Sequence, residues 1–196
     1  GRSREICWQD HLELDTTFAI DCTLSGEPLL THSQFAALRL KDAIADNFRD
    51  RFGRRPSVDT NAPGVRFHLH IHDSSATISL DLSGDSLHRR GYRVGGGPAP
   101  LKETLAAALV ALSGWTDQPG EVLLDPMCGT GTLLIEAALM FGDSAPGLSR
   151  KRFGFMGWKQ HDAFLWQRLV EEAIAREEAA EFRPWPRFLG FDADPA

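Results

Sequence analysis

The stretch "EVLLDPMCGTGTLLIEAALM" at residues 121–140 decides the fold. Residues 121–125 are a short, nearly continuous apolar run that ends in an acid, which is typical of a strand buried on both faces of a parallel sheet. The apolar run at 132–142 predicts a helix. The loop 125–132 is therefore expected at the carboxyl end of a strand, where open parallel sheets bind their ligands.

The residue types in and after this loop indicate the kind of ligand. Gly129 and Gly131 carry no Cβ, so the backbone can approach a ligand closely, and the following helix offers unpaired N–H groups to an anion. The spacing fits neither G-x-G-x-x-G nor a P-loop, so pyrophosphate is not the obvious ligand. Asp192 or Asp194, after a second apolar strand at 187–195, would accept hydrogen bonds from ribose hydroxyls. S-adenosylmethionine, a nucleoside with a zwitterionic tail, fits this pattern; the alternative is a tight turn without a ligand.

The second half of the chain has the element order of a doubly wound α/β sheet. One helix precedes the first strand, and two helices separate that strand from the second. The predicted elements lie at 101–115, 121–125, 132–142, 162–182 and 187–195. The acids follow the glycines by about sixty residues instead of the usual twenty or so, so an insertion is expected between them.

The first half has the pattern of a small α+β domain with an antiparallel sheet. Two alternating stretches joined by "DSS" predict a hairpin. A helix is expected to begin at a Ser33 cap and to end at Gly53. The predicted elements are strands at 16–24, 64–73 and 76–84 and a helix at 33–52.

Composition limits the class of protein. The 196 residues carry a net charge of −6, which lowers the odds of a nucleic-acid partner, although basic stretches at 49–56 and 88–93 allow a local basic face. Three scattered cysteines predict reduced thiols in a cytoplasmic protein, without a disulfide framework or a zinc site. No run of about eighteen apolar residues occurs, so no membrane span is expected.

Several stretches together resemble RNA guanine-N2 methyltransferases that carry an N-terminal THUMP domain. "DPMCGTGTLLIEAA" is similar to the cofactor-binding motif of that family. "DLSGDSLHRRGYR" followed by "APLKETLAAAL" resembles its junction between two domains, and "APGLSRKRFGFMGWKQHD" resembles its insertion after the first helix. The likeness runs from residue 8 to residue 194 and is closest to the family's bacterial enzymes that act on 23S rRNA.

The resemblance implies a binding site for S-adenosylmethionine. One group of residues would form the cofactor loop, a second would lie near the methionine end, and Asp192 or Asp194 would hold the ribose. The first group is Asp125, Pro126, Cys128, Gly129, Gly131 and Thr132, and the second is Pro100, Lys102, Glu103 and Thr104. No metal is expected.

The resemblance also implies the domain organisation and the partners. Residues 1–92 would be an N-terminally incomplete THUMP-like RNA-binding domain and 93–98 a linker, unless this glycine-rich stretch is an ordered loop on a ligand. Residues 99–196 would be the N-terminal part of a methyltransferase domain that is incomplete at its C-terminus. The expected substrate is a guanine N2 amine of 23S rRNA, and a second methyltransferase domain, fused or missing, is an expected partner.

One departure from the family affects catalysis. The N-P-P-Y motif that would hold the target base does not occur in the sequence, so no catalytic residue is assigned. The chain is therefore expected to be an internal fragment that is inactive alone. The alternative is an RNA-binding module whose methyltransferase-like half is only a scaffold.

The basic stretch before the glycines keeps two interpretations. Its side chains could contact RNA phosphates and stack on a base, or they could form a solvated turn or structural pairs. The residues concerned are Arg89, Arg90, Tyr92 and Arg93.

Histidine and cysteine residues also keep two interpretations each. His68, His70 and His72 alternate along one strand and could bind a metal, but a solvated or RNA-facing surface is favoured because no acid or cysteine completes a site nearby. Cys128 could act as a nucleophile, as in pyrimidine C5 methylation, but a small packing residue is the favoured interpretation.

Overall fold

The computed structural model describes residues 5–27, 32–93, 100–115, 118 and 120–193. The chain forms two compact units, one of residues 1–85 and 152–162 and one of residues 86–151 and 163–196. Among the described helices, none is both long enough and apolar enough to cross a membrane. From residue 94 on, the predicted linker lies outside the described residues.

The first unit contains a three-stranded sheet and one long helix. Its elements are β1 (Phe18–Ser25), α1 (Ser33–Phe52), β2 (Val65–His72) and β3 (Ser75–Leu80). The strand order is β1-β2-β3, with β1 parallel to β2 and β2 antiparallel to β3. The predicted hairpin is confirmed, but the prediction of an all-antiparallel sheet is wrong. The direction of β1 follows from α1, which carries the chain back so that β2 can start beside the start of β1.

Helix α1 occupies the predicted residues 33–52 and ends as the sequence indicates. Gly53 takes the left-handed conformation at φ 69°, and its N–H donates to the carbonyl of Arg49 at 2.9 Å. The N-cap is His32 and not Ser33, which is already the first helical residue. The predicted serine cap is therefore wrong by one position.

The hydrophobic core of the first unit lies between α1 and the sheet. Every second residue of β2 is buried, as the alternating sequence predicts. The ring of Trp8 packs edge-on against Phe67 with ring centroids 5.4 Å apart. The buried set includes Trp8, Phe18, Leu40, Ile44, Phe48, Val65, Phe67, Leu69 and Ile71.

Residues 152–162, within the predicted insertion, group with the first unit. The Arg152 guanidinium donates to the carbonyl of Pro63 at 2.5 Å. The Trp158 indole N–H donates to Nδ1 of His11 at 3.1 Å, and the two rings stack. These contacts hold residues 152–162 against the first unit.

The second unit contains a parallel α/β sheet, and the predicted fold class is confirmed. Its elements are α2 (Glu103–Leu112), β4 (Val122–Asp125), α3 (Thr132–Phe141), α4 (Ala163–Glu181) and β5 (Arg187–Gly190). Strands β4 and β5 pair in parallel, and Asp125 lies opposite Gly190. Because parallel strands end at the same edge, the loops after β4 and β5 meet there.

Strand β4 is less buried than its apolar sequence predicts. Val122 and Leu124 are 47% and 54% exposed, whereas Leu123 between them is half-buried. One face of the strand is therefore open among the described residues, and the expectation of burial on both faces is wrong for them.

Candidate functional site

The loop after β4 and the residues after β5 are joined by three backbone-centred hydrogen bonds. The Phe191 N–H donates to the carbonyl of Asp125 at 2.9 Å, and the Cys128 N–H donates to the carbonyl of Phe191 at 2.8 Å. The Gly129 N–H donates to Oδ2 of Asp192 at 2.8 Å. The structure thus brings together Asp125, Gly129 and Asp192, although Gly129 and Asp192 are 63 residues apart along the chain. Asp194 lies outside the described residues.

Both glycines of the loop have backbone angles that other residues rarely adopt. Gly129 has φ 51° and Gly131 has φ 73°, both in the left-handed region. Gly131 is the N-cap of α3, so the first turn of this helix begins directly after the loop. A Cβ built at Gly129 meets no atom within 4 Å, which leaves open space beside the backbone at this position.

Asp125 shapes the start of the loop. Its Oδ1 accepts a hydrogen bond from the Met127 N–H at 3.1 Å, the local turn that aspartate favours. Pro126 is exposed, and Met127 is 83% exposed. The acid, the proline and the two glycines therefore build a turn that is open to solvent at the edge of the sheet.

Gly190 is a further residue of this site, which the sequence analysis missed. A Cβ at Gly190 would lie 2.8 Å from Cδ1 of Leu134, 2.9 Å from Sγ of Cys128 and 3.2 Å from Cβ of Cys128. Cys128 thus fills the space above this glycine, in line with the predicted packing role. The available signal was the glycine two residues before Asp192 at the end of an apolar run.

The segment before α2 separates into exposed and buried residues. Pro100, Lys102 and Thr104 are exposed, whereas Glu103 is buried. Oε1 of Glu103 lies 3.3 Å from Nε of Arg93, an ion pair without hydrogen-bond geometry. Of the four predicted residues, Glu103 is therefore the one whose side chain is buried and paired with Arg93 inside the second unit.

The basic stretch 89–93 points most of its polar groups into the second unit. The Tyr92 hydroxyl donates to Oε1 of Glu136 at 2.9 Å, and Nη2 of Arg90 lies 3.4 Å from Oε2 of the same carboxylate. Glu136 is only 2% exposed. Burial, and then the hydrogen bond to Glu136, raise the pKa of Tyr92 above its ordinary range, so the phenol stays a neutral donor. Arg89 is exposed.

Glu136 was not singled out from the sequence. Its signal was an isolated acid inside the apolar run "TLLIEAALM". A buried carboxylate needs charged or hydrogen-bonding partners, and these come from the stretch 89–93. These contacts support the structural interpretation for Arg90 and Tyr92; a contact of this stretch with RNA stays a prediction.

The three alternating histidines of β2 lie on the polar side of that strand and bond to hydroxyl groups. Nε2 of His68 lies 3.2 Å from Oγ1 of Thr23. The Ser25 hydroxyl lies 2.9 Å from Nε2 of His70 and 3.0 Å from Nδ1 of His72. Within the part of the chain that the structure describes, no three His, Cys, Asp or Glu side chains are grouped as metal ligands.

Two family models match the two parts of the chain and assign it to a class of proteins. The family model described as "RMKL-like, methyltransferase domain" matches residues 90–196, and the THUMP domain model matches residues 2–81. The chain belongs to the RMKL-like methyltransferase family and carries a THUMP domain ahead of the methyltransferase part. The predicted family is thereby confirmed.

Curated relatives that are similar to nearly the whole chain are longer than it. Ribosomal RNA large subunit methyltransferase K/L of Desulfotalea psychrophila is 60% identical over 190 residues, which are 96% of this chain and 26% of the relative. The protein of the same name from Pseudomonas aeruginosa is 51% identical, over 97% of this chain and 26% of the relative. The chain thus spans about a quarter of the length of these relatives.

Solved structures share the fold of the chain. A protein from Listeria monocytogenes, described as a predicted N6-adenine-specific DNA methylase, has a TM-score of 0.79 and 32% identity, over 98% of this chain and 49% of its own. SMU.472, solved as a complex with SAH, has a TM-score of 0.79 and 31% identity over the same shares. Both likenesses extend across the THUMP and methyltransferase parts.

Proposed function

We propose that this chain is the THUMP and cofactor-binding part of an enzyme that transfers a methyl group from S-adenosylmethionine to a guanine N2 amine of 23S rRNA. The observation that carries the proposal is the hydrogen bond from Gly129 to Asp192, which joins the glycine loop to the acid after the next strand. The names of the curated relatives support rRNA as the substrate, and the SAH complex of SMU.472 supports the cofactor.

The residues of the loop fit the parts of S-adenosylmethionine. A carboxylate has two oxygens with about four acceptor sites, so Asp192 can hold the Gly129 N–H and also accept a ribose hydroxyl. The N-terminus of α3 presents backbone N–H groups and a positive dipole end to the carboxylate of the methionine tail. The open space beside Gly129 allows the ligand to approach the backbone. The exposed residues Pro100, Lys102 and Thr104 would lie near the methionine end.

The chemistry is a direct methyl transfer. When bound, S-adenosylmethionine would supply a sulfonium methyl group for transfer to the guanine amine. The chain's residues contribute by holding the donor in one orientation, which is a main source of rate for such displacements. Cys128 packs against Gly190 and needs no covalent role.

The target-base step is not assigned to any residue of the chain. The 196 residues contain no N-P-P-Y stretch, so we propose that they bind the cofactor but do not transfer the methyl group by themselves. The THUMP part would bind 23S rRNA, and Arg89, an exposed residue of the second unit, is a separate candidate for an RNA contact. A fused second methyltransferase domain and a cytoplasmic location belong to the same proposal.

Two other functions give different results in a genetic experiment. The gene that encodes this chain is deleted, and the host's 23S rRNA and DNA are digested to nucleosides and analysed by mass spectrometry. We expect one guanine of 23S rRNA to lose its N2-methyl group and to regain it on complementation. Loss of N6-methyladenine from DNA would instead favour the activity in the name of the Listeria neighbour. Unchanged methylation in both would favour an RNA-binding module with a scaffold half.

A further inference from the structure

We infer that Arg93 is a positioning residue that fixes the segment 100–104 against the start of α3. The inference rests on the proposed function, because it assigns Arg93 to the geometry of the cofactor site and not to RNA binding. Arg93 precedes the glycine-rich stretch, and its side chain reaches two segments that are both expected to touch S-adenosylmethionine.

The guanidinium of Arg93 makes three contacts, each to a different part of the site. Nη2 donates to the carbonyl of Leu101 at 2.8 Å and to Oγ1 of Thr132 at 3.1 Å. Nε lies 3.3 Å from Oε1 of Glu103. Leu101 and Glu103 belong to the segment before and at the start of α2, and Thr132 is the first residue of α3. One planar side chain thus connects the N-terminal ends of two neighbouring helices.

The contact continues into the cofactor loop. Oγ1 of Thr132 lies 3.3 Å from Oγ1 of Thr130, which stands between the two loop glycines. A guanidinium presents its donors in a rigid fork, so its position sets the separation of Leu101, Glu103 and Thr132. Movement of Arg93 would therefore change the distance between the segment near the methionine end and the loop.

Burial makes these contacts difficult to replace. The side chains of Arg93 and Glu103 are 19% and 7% exposed, and Thr132 is buried. Removing one partner of a buried ion pair leaves an uncompensated charge. The donors of Arg93 also point into the unit, which argues against a direct contact with RNA phosphates.

A neighbouring arginine offers a matched control. Arg90 is equally embedded and pairs with the buried Glu136, but its ion pair involves neither segment 100–104 nor Thr132. Its loss should affect the stability of the unit without changing the cofactor geometry. Tyr92 would still donate to Glu136 in that variant.

The test compares the dissociation constants of S-adenosylmethionine for the chain and its variants, next to the melting temperature without cofactor. We expect Arg93→Gln to weaken binding about tenfold or more, equivalent to about 1.4 kcal/mol, and Arg93→Lys to restore part of it because the charge facing Glu103 remains. Arg90→Gln should lower the melting temperature with little change in affinity. If Arg93→Gln does not fold, Thr132→Val, which removes only the accepting hydroxyl, carries the test and should weaken binding in the same direction.

The outcomes separate the inference from the proposed function. Unchanged affinity in Arg93→Gln or Thr132→Val, with binding lost in Asp192→Ala, would overturn the role of Arg93 and leave the cofactor site standing. Equal losses of S-adenosylmethionine affinity in Arg93→Gln and Arg90→Gln would mean that Arg93 only stabilises the unit in general. Weaker binding of a 23S rRNA fragment with unchanged cofactor affinity would make Arg93 an RNA contact. A folded chain that binds no S-adenosylmethionine would overturn both proposals.

Discussion

Replacing Gly190 with alanine should strain the loop 125–132 directly. The new methyl group would lie 2.8 Å from Cδ1 of Leu134 and 2.9 Å from Sγ of Cys128, both closer than real Cβ contacts. The leucine end can rotate away, but Cβ of Cys128, at 3.2 Å, moves only with the loop backbone. Overpacking of this kind costs about 1–3 kcal/mol, and each kcal/mol lowers the melting temperature of a chain this size by about 2–4 °C.

The assay is urea unfolding of Gly190→Ala, Cys128→Ala and the double variant. Removing Sγ relieves one of the close contacts, so the double variant should be more stable than the sum of the two single effects predicts. Gly129→Ala is the comparison for backbone strain alone, since a Cβ there meets no atom within 4 Å. Wild-type stability in Gly190→Ala, or strict additivity in the cycle, would refute the close packing of Cys128 on Gly190.

Three further perturbations test other parts of the structure. Burial and Glu136 raise the pKa of Tyr92 above its ordinary 10.0, so its neutral form should stabilise the fold fully below about pH 10 and less as the pH rises towards the folded-state pKa. Tyr92→Phe should therefore flatten the fall in melting temperature at alkaline pH. A normal tyrosinate titration of this single tyrosine in the folded chain would contradict the prediction. Phe48→Ala should cost about 3–5 kcal/mol in urea unfolding because the ring is fully buried, whereas Phe52→Ala should cost clearly less, since 48% of Phe52 is exposed. Gly53→Ala should cost about 1–2 kcal/mol because of its left-handed φ, and an unchanged unfolding midpoint would argue against this cap.

The sequence was sufficient to predict those elements for which the local residue pattern and the topology of the fold agree. The alternation in β2 and the glycine after α1 predicted elements that the structure has at the same places. The proximity of Asp192 to the glycine loop followed from the rule that parallel strands end at one edge of a sheet. In the structure the two are joined by the hydrogen bond from Gly129 to Asp192.

Other features depend on contacts between segments that are distant in the sequence. The direction of β1 relative to β2 cannot be read from alternation, because both directions place every second side chain on the same face. Gly190 shows its function only beside Cys128, and Glu136 only beside Tyr92. Arg90 and Tyr92 have the composition of an RNA-binding stretch, yet their buried partner lies 46 and 44 residues away.

We propose above all that the loop closed by Asp192 binds S-adenosylmethionine. Calorimetric titration of the 196-residue chain and of Asp192→Ala, both shown to be folded by their melting transitions, tests it most directly. We expect one binding site in the wild-type chain and an affinity at least about tenfold weaker in the variant, because a charge-assisted hydrogen bond is lost. Equal affinities in the two chains, or no binding by the folded wild type, would contradict it.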